Sequence, residues 1–341
     1  QVQLSRDELG LVLRDVGCAI FGQSETIAPA DEKMYTLRGI VNCVASDALI
    51  IASILSKKVA EGTRYLVQDV KTGSGAFYSE LAAAQKFARR FVDTGNGAGI
   101  VTGAMITDMN QPLGNCAGNK IEVIEALGML SGERLNGSYS RLMKVTYKLA
   151  MELHRLVDPL GDSAHFGHIL RTVMDNGAKV RGDVSHQDSA YERFLRMVEA
   201  QGGDSDYLKN LVGRIDEKGT LFECAREERY QDMMRVIEPE GELKVYEVRA
   251  PQAGYVSAIA LKDMGFGIVD LGAGKRKDGD VISPEVGMVT TRALGDQVRA
   301  GDLLGVVLRD SQKGTPEAFD GYFTVSQEQT PSPALIKELV M

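Results

Sequence analysis

The chain has 341 residues, 44% of them hydrophobic and 25% charged, which is the composition of an ordinary globular protein with room for two or three domains. Its 39 Lys and Arg against 47 Asp and Glu leave a net charge of −8, a poor starting point for binding the phosphate backbone of nucleic acid. No apolar run approaches the roughly 18 residues that a membrane helix needs. A small phosphorylated ligand stays open, because one pocket can be cationic on an acidic protein.

Cys18, Cys43, Cys116 and Cys224 are scattered, with no CxxC and no Cys/His cluster. That argues against a disulfide scaffold or a structural zinc site and fits a reducing, cytoplasmic setting. The opening QVQLSRDEL has neither a cationic nor an apolar signal region, and it lacks an initiator Met, so a processed or truncated piece is expected.

In chain order, a helix is predicted from Ser5 to about Val16, ended by Gly17, and then a short apolar strand over Cys18 to Phe21. Pro29 begins a new segment. The run DALIIASILSKKVAEG after Ser46 reads as a helix capped by Ser46, with Lys57 and Lys58 in its last turns and Gly62 as its stop. A strand over Tyr65 to Val70 leads into the Gly-rich loop KTGSGAF. A helix capped by Ser79 follows, then a turn at GNGAG, a strand from Ile100 to Ile106 and a helix from Asn119 to Leu130. Strand and helix alternating through short connections predict an α/β sheet with mainly parallel strands. Helical periodicity returns over Arg141 to Leu156 and Ala190 to Ala200. From about Val245, short apolar runs punctuated by glycine predict a β-rich module, with the boundary placed near residue 205.

Three constellations carry possible chemistry. The loop Lys71 to Phe77 lies after a strand and before a helix, where open α/β sheets place ligands. It matches neither GxxxxGK[ST] nor GxGxxG, so it is weak as a phosphate cradle, and the pattern alone favours a tight strand-to-helix turn. Ser53 and Lys57, four apart, share one helix face and could jointly hold a planar polar ligand. Alternatively, Lys57 complements the helix dipole and Ser53 is a small packing residue. Arg38 is either a surface arginine or a ligand clamp. His154, His165, His168 and His186 show no metal-ligand spacing and read as structural or surface residues. The rhythm of GDQVRAGDLLGVV suggests a barrel-sandwich hairpin, but KDMGFG supplies no lysine tip for a biotin or lipoyl carrier.

The runs YTLRGIVNCVASDALIIASILSKKVAEG (35–62), DVKTGSGAF, ITDMNQPLGNCAGNKIEVIEALGMLSGE (106–133) and LGAGKRKDGDVISPEVGM (271–288) closely resemble the thymidine/pyrimidine nucleoside phosphorylase family. The resemblance implies an α/β fold in three parts. These are a partial small helical domain (29–60), a large α/β domain with a mainly parallel sheet (1–28 and 61–204) and a C-terminal α+β module with a barrel-sandwich-like sheet (205–341). It implies a pentosyltransferase of pyrimidine salvage, a cytoplasmic homodimer that cleaves a pyrimidine nucleoside, thymidine foremost, with phosphate as co-substrate and no organic cofactor. A broader uridine/thymidine phosphorylase and a non-catalytic relative that binds a pyrimidine or a partner are the alternatives.

Residue by residue, the family's base-binding arginine, serine and lysine fall on Arg38, Ser53 and Lys57. Apolar wall positions fall on Tyr35, Ile50, Ile54 and Phe77. The backbone carbonyls of Leu113 and Cys116 and the Glu125 carboxylate match a monovalent cation site, with potassium the implied ion. RGIVNCVASDALI replaces the family's RDVTATVDSIPLI, and GQSETI replaces its GQTGDL-like run, which bears on fine substrate preference. The family's Lys-His-Ser and Ser-Gly-Arg-Gly segment, with its histidine and phosphate ligands, normally precedes the residues that open this chain. The resemblance therefore implies no catalytic histidine within 1–341, and a chain inactive alone.

Overall fold

The computed structural model describes residues 2–22, 28–40, 46–131, 140–164, 166–167, 190–238, 242–275, 280–310 and 314–341. The side chains of Tyr35 and Arg38, although on a helix, lie outside the described residues, as do Cys43, His165, His168 and His186.

The first helix, α1 (Arg6–Asp15), begins at a reciprocal cap. The Ser5 hydroxyl accepts from the Glu8 amide at 3.3 Å, and the Glu8 carboxylate accepts from the Ser5 amide at 2.8 Å. Gly17, at φ +85°, ends it. The strand predicted over Cys18 to Phe21 does not form. This apolar run is extended coil that packs Ala19 and Phe21 against Leu4 and Leu9. Two further helices, α2 (Pro29–Ile40) and α3 (Asp47–Ala60), follow. Ser46 occupies the N-cap position of α3, but its hydroxyl makes no capping bond.

β1 (Tyr65–Thr72) and β2 (Val101–Asp108) pair in parallel, with Asp69 opposite Met105 and Lys71 opposite Thr107. Between them runs α4 (Leu81–Gly97), whose cap position is Glu80 rather than Ser79. Ala84, Phe87, Ala88, Phe91 and Val92 form its buried stripe at helical spacing. Each large side chain so buried contributes about 1.5–3 kcal/mol. That stripe meets Ile51 and Leu55 of α3 and Val70, Ala104 and Ile106 of the strands in one core. The helix continues through Gly95 to Gly97, where a turn was expected.

The last strand, β10 (Ile336–Val340), returns from the far end of the chain to pair antiparallel with β2, so the sheet order is β1-β2-β10. β3 (Cys116–Ala117) leads into α5 (Asn119–Leu130), and α6 (Ser140–Val157) follows. Helices Ala190–Ala200, Ser205–Lys218, Leu221–Arg226 and Tyr230–Ile237 come next. One core joins Ile121, Ile124 and Leu127 of α5 to Leu211, Ile215, Met233 and Ile237 of these helices, and to Val306 and Leu308 of a strand beyond them.

The C-terminal module contributes two small sheets. β3 joins β6 (Gly287–Thr290), β8 (Leu303–Asp310) and β4 (Leu243–Arg249) in the order β3-β6-β8-β4. β5 (Gly254–Ile259) lies between β7 (Gln297–Val298) and β9 (Phe323–Ser326). GDQVRAGDLLGVV supplies β7 of one sheet and β8 of the other, so the chain crosses between them. Val248, Val256, Met264, Met288, Val307 and Phe319 fill the space between. Met264 is fully buried within helix Leu261–Ile268, so KDMGFG forms no exposed carrier tip. Among the described residues, no helix is long and apolar enough to cross a membrane.

Candidate functional site

The site is built on α3, which turns two faces to different tasks. Ile51 and Leu55 point into the core with Phe87 and Phe91, while Ile50 and Ile54 pack half-buried at its edge. Ser53 and Lys57 stand one turn apart, and the Lys57 ammonium donates to the Ser53 Oγ at 3.1 Å. Its second partner is Asp31, whose Oδ2 lies 2.5 Å from Lys57 Nζ. Asp31 sits in the first turn of α2 and is buried, while the Lys57 side chain keeps 27% exposure. A buried carboxylate thus anchors a cation that still reaches solvent.

Nothing in the sequence pattern marks Asp31, because its partner is 26 residues away on another helix. The only available signal is a carboxylate in the first turn after Pro29. Tyr35 and Arg38 lie further along the same helix, and their side chains are outside the described residues. Phe77, in the loop after β1, is 72% exposed.

That loop spends its central amides on structure. Gly73 N donates to Tyr78 O at 3.2 Å, Gly75 N to Met109 O at 2.9 Å, and Ser74 N to Asn110 Oδ1 at 3.0 Å. The Ser74 hydroxyl donates to Ile259 O at 3.0 Å. With these amides engaged, KTGSGAF behaves as a tight turn between strand and helix and not as a cradle for phosphate oxygens. Gly73, at φ +127°, takes a backbone conformation that side chains disfavour. Tyr78 closes the turn by donating to Asp47 Oδ1 at 2.7 Å, and burial together with that carboxylate raises its pKa.

At the carboxyl ends of β1 and β2 lies a polar cluster that the sequence analysis missed. Lys71 Nζ is 2.6 Å from Asp69 Oδ2 and 2.9 Å from Thr107 Oγ1, and Thr107 donates to Asp69 Oδ1 at 2.6 Å. Asp108, wholly buried, accepts from Asn110 Nδ2 at 2.6 Å and faces Arg141 Nη2 at 3.2 Å and Lys337 Nζ at 3.4 Å. Alternation puts these residues on opposite strand faces, yet each carboxylate is paired, as burial demands.

The second candidate region surrounds Glu125 on α5. Its carboxylate accepts from the Asn115 amide at 2.7 Å and the Cys116 amide at 3.4 Å. Burial pushes its pKa up to about 7 against the lowering effect of those bonds. The loop reaches Glu125 through these N–H groups, and the Asn115 carbonyl is taken by Thr290 N at 2.8 Å. Burial first, then Glu125, raises the Cys116 thiol well above its ordinary range, so it is no nucleophile. Among the described residues, no group of three or more His, Cys, Asp or Glu side chains could hold a metal ion. An oxygen-only donor set for a weakly bound monovalent ion is a different case. Among the described residues, the hydrogen-bond donors to this buried carboxylate are neutral N–H groups, an environment such an ion would fit.

His154 stacks on Phe166 with ring centroids 4.0 Å apart and belongs to packing.

Comparison with known proteins adds two family matches. Residues 1–180 match the model for the glycosyl transferase family, a/b domain, and residues 255–324 that for the pyrimidine nucleoside phosphorylase C-terminal domain. The chain is 37% identical over 314 residues to a thymidine phosphorylase of Burkholderia cenocepacia (strain HI2424), covering 92% of this chain and 63% of that protein. It is 36% identical over 306 residues to one of Agrobacterium fabrum (strain C58), covering 90% and 61%. Against one of Burkholderia orbicola (strain MC0-3), identity is 35% over 337 residues, covering 98% and 68%. The chain thus spans under two thirds of the length of the first two relatives.

Proposed function

Because this chain belongs to the thymidine/pyrimidine nucleoside phosphorylase family, we propose that it supplies the pyrimidine-binding half of a site that cleaves thymidine with phosphate. The products are thymine and 2-deoxyribose 1-phosphate. The observation that carries this reading is the Asp31–Lys57–Ser53 chain on α2 and α3.

An ammonium has three N–H donors. Asp31 and Ser53 take two of those on Lys57, which leaves the third for a ring carbonyl oxygen of the base. Because Ser53 Oγ accepts from Lys57, its own proton is left to donate to the ring edge. Arg38 adds a second cationic donor. When phosphate displaces the base, the glycosidic electron pair leaves with the pyrimidine, and negative charge grows on its ring. Cationic donors therefore bind the transition state more tightly than the nucleoside, which is the requirement for catalysis. Ile50, Ile54, Tyr35 and Phe77 form the apolar walls, with Phe77 beside a 5-methyl group.

In the same reading, Leu113 and Cys116 carbonyls and the Glu125 carboxylate hold a potassium ion, whose chemistry is to neutralise that buried carboxylate and fix the loop before β3. The subunit works as a cytoplasmic homodimer, with 29–60 as part of its helical domain, 61–204 in the α/β domain and 205–341 as the C-terminal module.

The test is phosphate-dependent thymine release by the complete protein, with K57A alongside. Loss of one charge-assisted contact is worth about 1.5–3 kcal/mol, so K57A should be slower by tenfold or more. A K57A protein of unchanged kcat/KM would refute the assignment.

A further inference from the structure

A cavity of about 370 Å³ opens between the motif NQPLGN and the TTRA segment of the C-terminal module, and its walls are unusually cationic. Arg141, Arg226 and Arg292 all line it, against a single carboxylate, Asp296. Asp296 is itself engaged, since its Oδ2 accepts from the Ala293 amide at 2.8 Å.

The three guanidinium groups are only partly satisfied. Arg141 donates through Nη2 to Asp108 at 3.2 Å, while its buried Nε has no partner among the described residues. The other two form longer ion pairs, Arg292 with Asp302 at 3.7 Å and Arg226 with Glu227 at 3.6 Å. The Nε of Arg292 is likewise buried without a partner. Gln111, 2% exposed, uses its carbonyl oxygen on Leu294 N at 3.0 Å, and its Nε2 is a third buried donor left over. Buried donors without acceptors cost free energy, and natural structures pair nearly all of them. Among the described residues, three surplus buried donors thus belong to side chains that line this one cavity.

The chemistry selects its kind. Guanidinium forks match phosphate and carboxylate oxygens, and three of them around one cavity suit a guest that presents several anionic oxygens. The volume falls within the range of about 300–1,000 Å³ usual for small-ligand pockets. It leaves room beyond a phosphoryl group for a compact polar body. Arg226 is steadied by Phe222, its guanidinium lying 5.5 Å from the ring centroid.

We infer that this cavity is a binding site for a phosphoryl dianion, carried by a small phosphomonoester or present as free phosphate. The inference does not depend on the base-binding reading, since no wall residue lies on α2 or α3.

Isothermal titration of the protein with inorganic phosphate, and separately with ribose 5-phosphate, tests it, using R226Q, R292Q and K57A for comparison. Saturable binding is expected that weakens at least tenfold in both R226Q and R292Q and is unchanged in K57A. Tighter binding of ribose 5-phosphate identifies a phosphomonoester, and equal affinities identify the free anion. Absence of saturable binding, or binding that both arginine variants leave unchanged, overturns the site. Arg226, nearly half exposed, can be replaced without disturbing the core, so R226Q alone decides the matter if R292Q misfolds.

Discussion

Replacing Asp31 with Asn keeps the shape of the Lys57 anchor and removes its charge. Two opposed effects follow. Losing the carboxylate frees the ammonium to pull harder on a departing pyrimidine. It also releases a four-carbon side chain whose rotamer freedom is worth about 2 kcal/mol. The geometry decides between them. Asp31 is 7% exposed and its oxygen lies 2.5 Å from Nζ, so the carboxylate sets the position of the ammonium. A charge-assisted hydrogen bond of this kind contributes about 1.5–3 kcal/mol, and D31N should lower kcat/KM for thymidine by about 10-fold to 150-fold. The assay is phosphate-dependent thymine release by D31N, K57A and the double variant. If Asp31 acts through Lys57, adding D31N to K57A costs less than about threefold, because the two losses are one loss. An unchanged or faster D31N enzyme, or fully additive penalties, would refute the argument.

Glu125 sets a pH dependence of stability. Its folded pKa of about 7 lies above the unfolded value near 4.5, so the folded state holds the proton more tightly, and stability falls as pH rises from about 4.5 to 7 before levelling off. The full fall is roughly 3 kcal/mol, E125Q should abolish it in melts in potassium-free buffer, and a parallel wild-type and E125Q pH profile would contradict it. Phe91, fully buried in the stripe of α4, should cost about 3–5 kcal/mol when replaced by Ala, measured by urea unfolding.

The readable parts of this protein are those whose meaning is local. The stripe of α4 and the pairing of Ser53 with Lys57 follow from helical spacing, and the capping of α1 follows from Ser5 and Glu8 standing three apart. What could not be read needed a partner distant in sequence. Asp31 becomes meaningful only when α2 is laid against α3, and Ile336–Val340 carries no sign of which sheet it will join. The GNG run misleads for a definite reason. Glycine at 95 suggests a turn, but there a Cβ would overlap the Thr102 side chain, so glycine lets α4 lie close on β2. The helix accepts a propensity cost of about 1 kcal/mol for that approach. Cys18–Phe21 misleads in the opposite direction, because an apolar run of four residues serves packed coil as well as strand.

Several contacts between the α/β part and the C-terminal module fall on the same loops that carry the candidate chemistry. Ser74 Oγ is tied to Ile259 O at 3.0 Å, Gln111 Oε1 to Leu294 N at 3.0 Å, and Asn115 O to Thr290 N at 2.8 Å. Leu261 packs so close to Gly75 that a Cβ there would come within 2.7 Å of Leu261 Cδ2. The loops after β1 and β2 are therefore shaped from both sides, by the strands that launch them and by the module that receives them. A ligand in the arginine-lined cavity would touch both sides of that junction, at Gln111 and at Arg292. Occupying it would hold the TTRA segment against the loop that leads to Glu125.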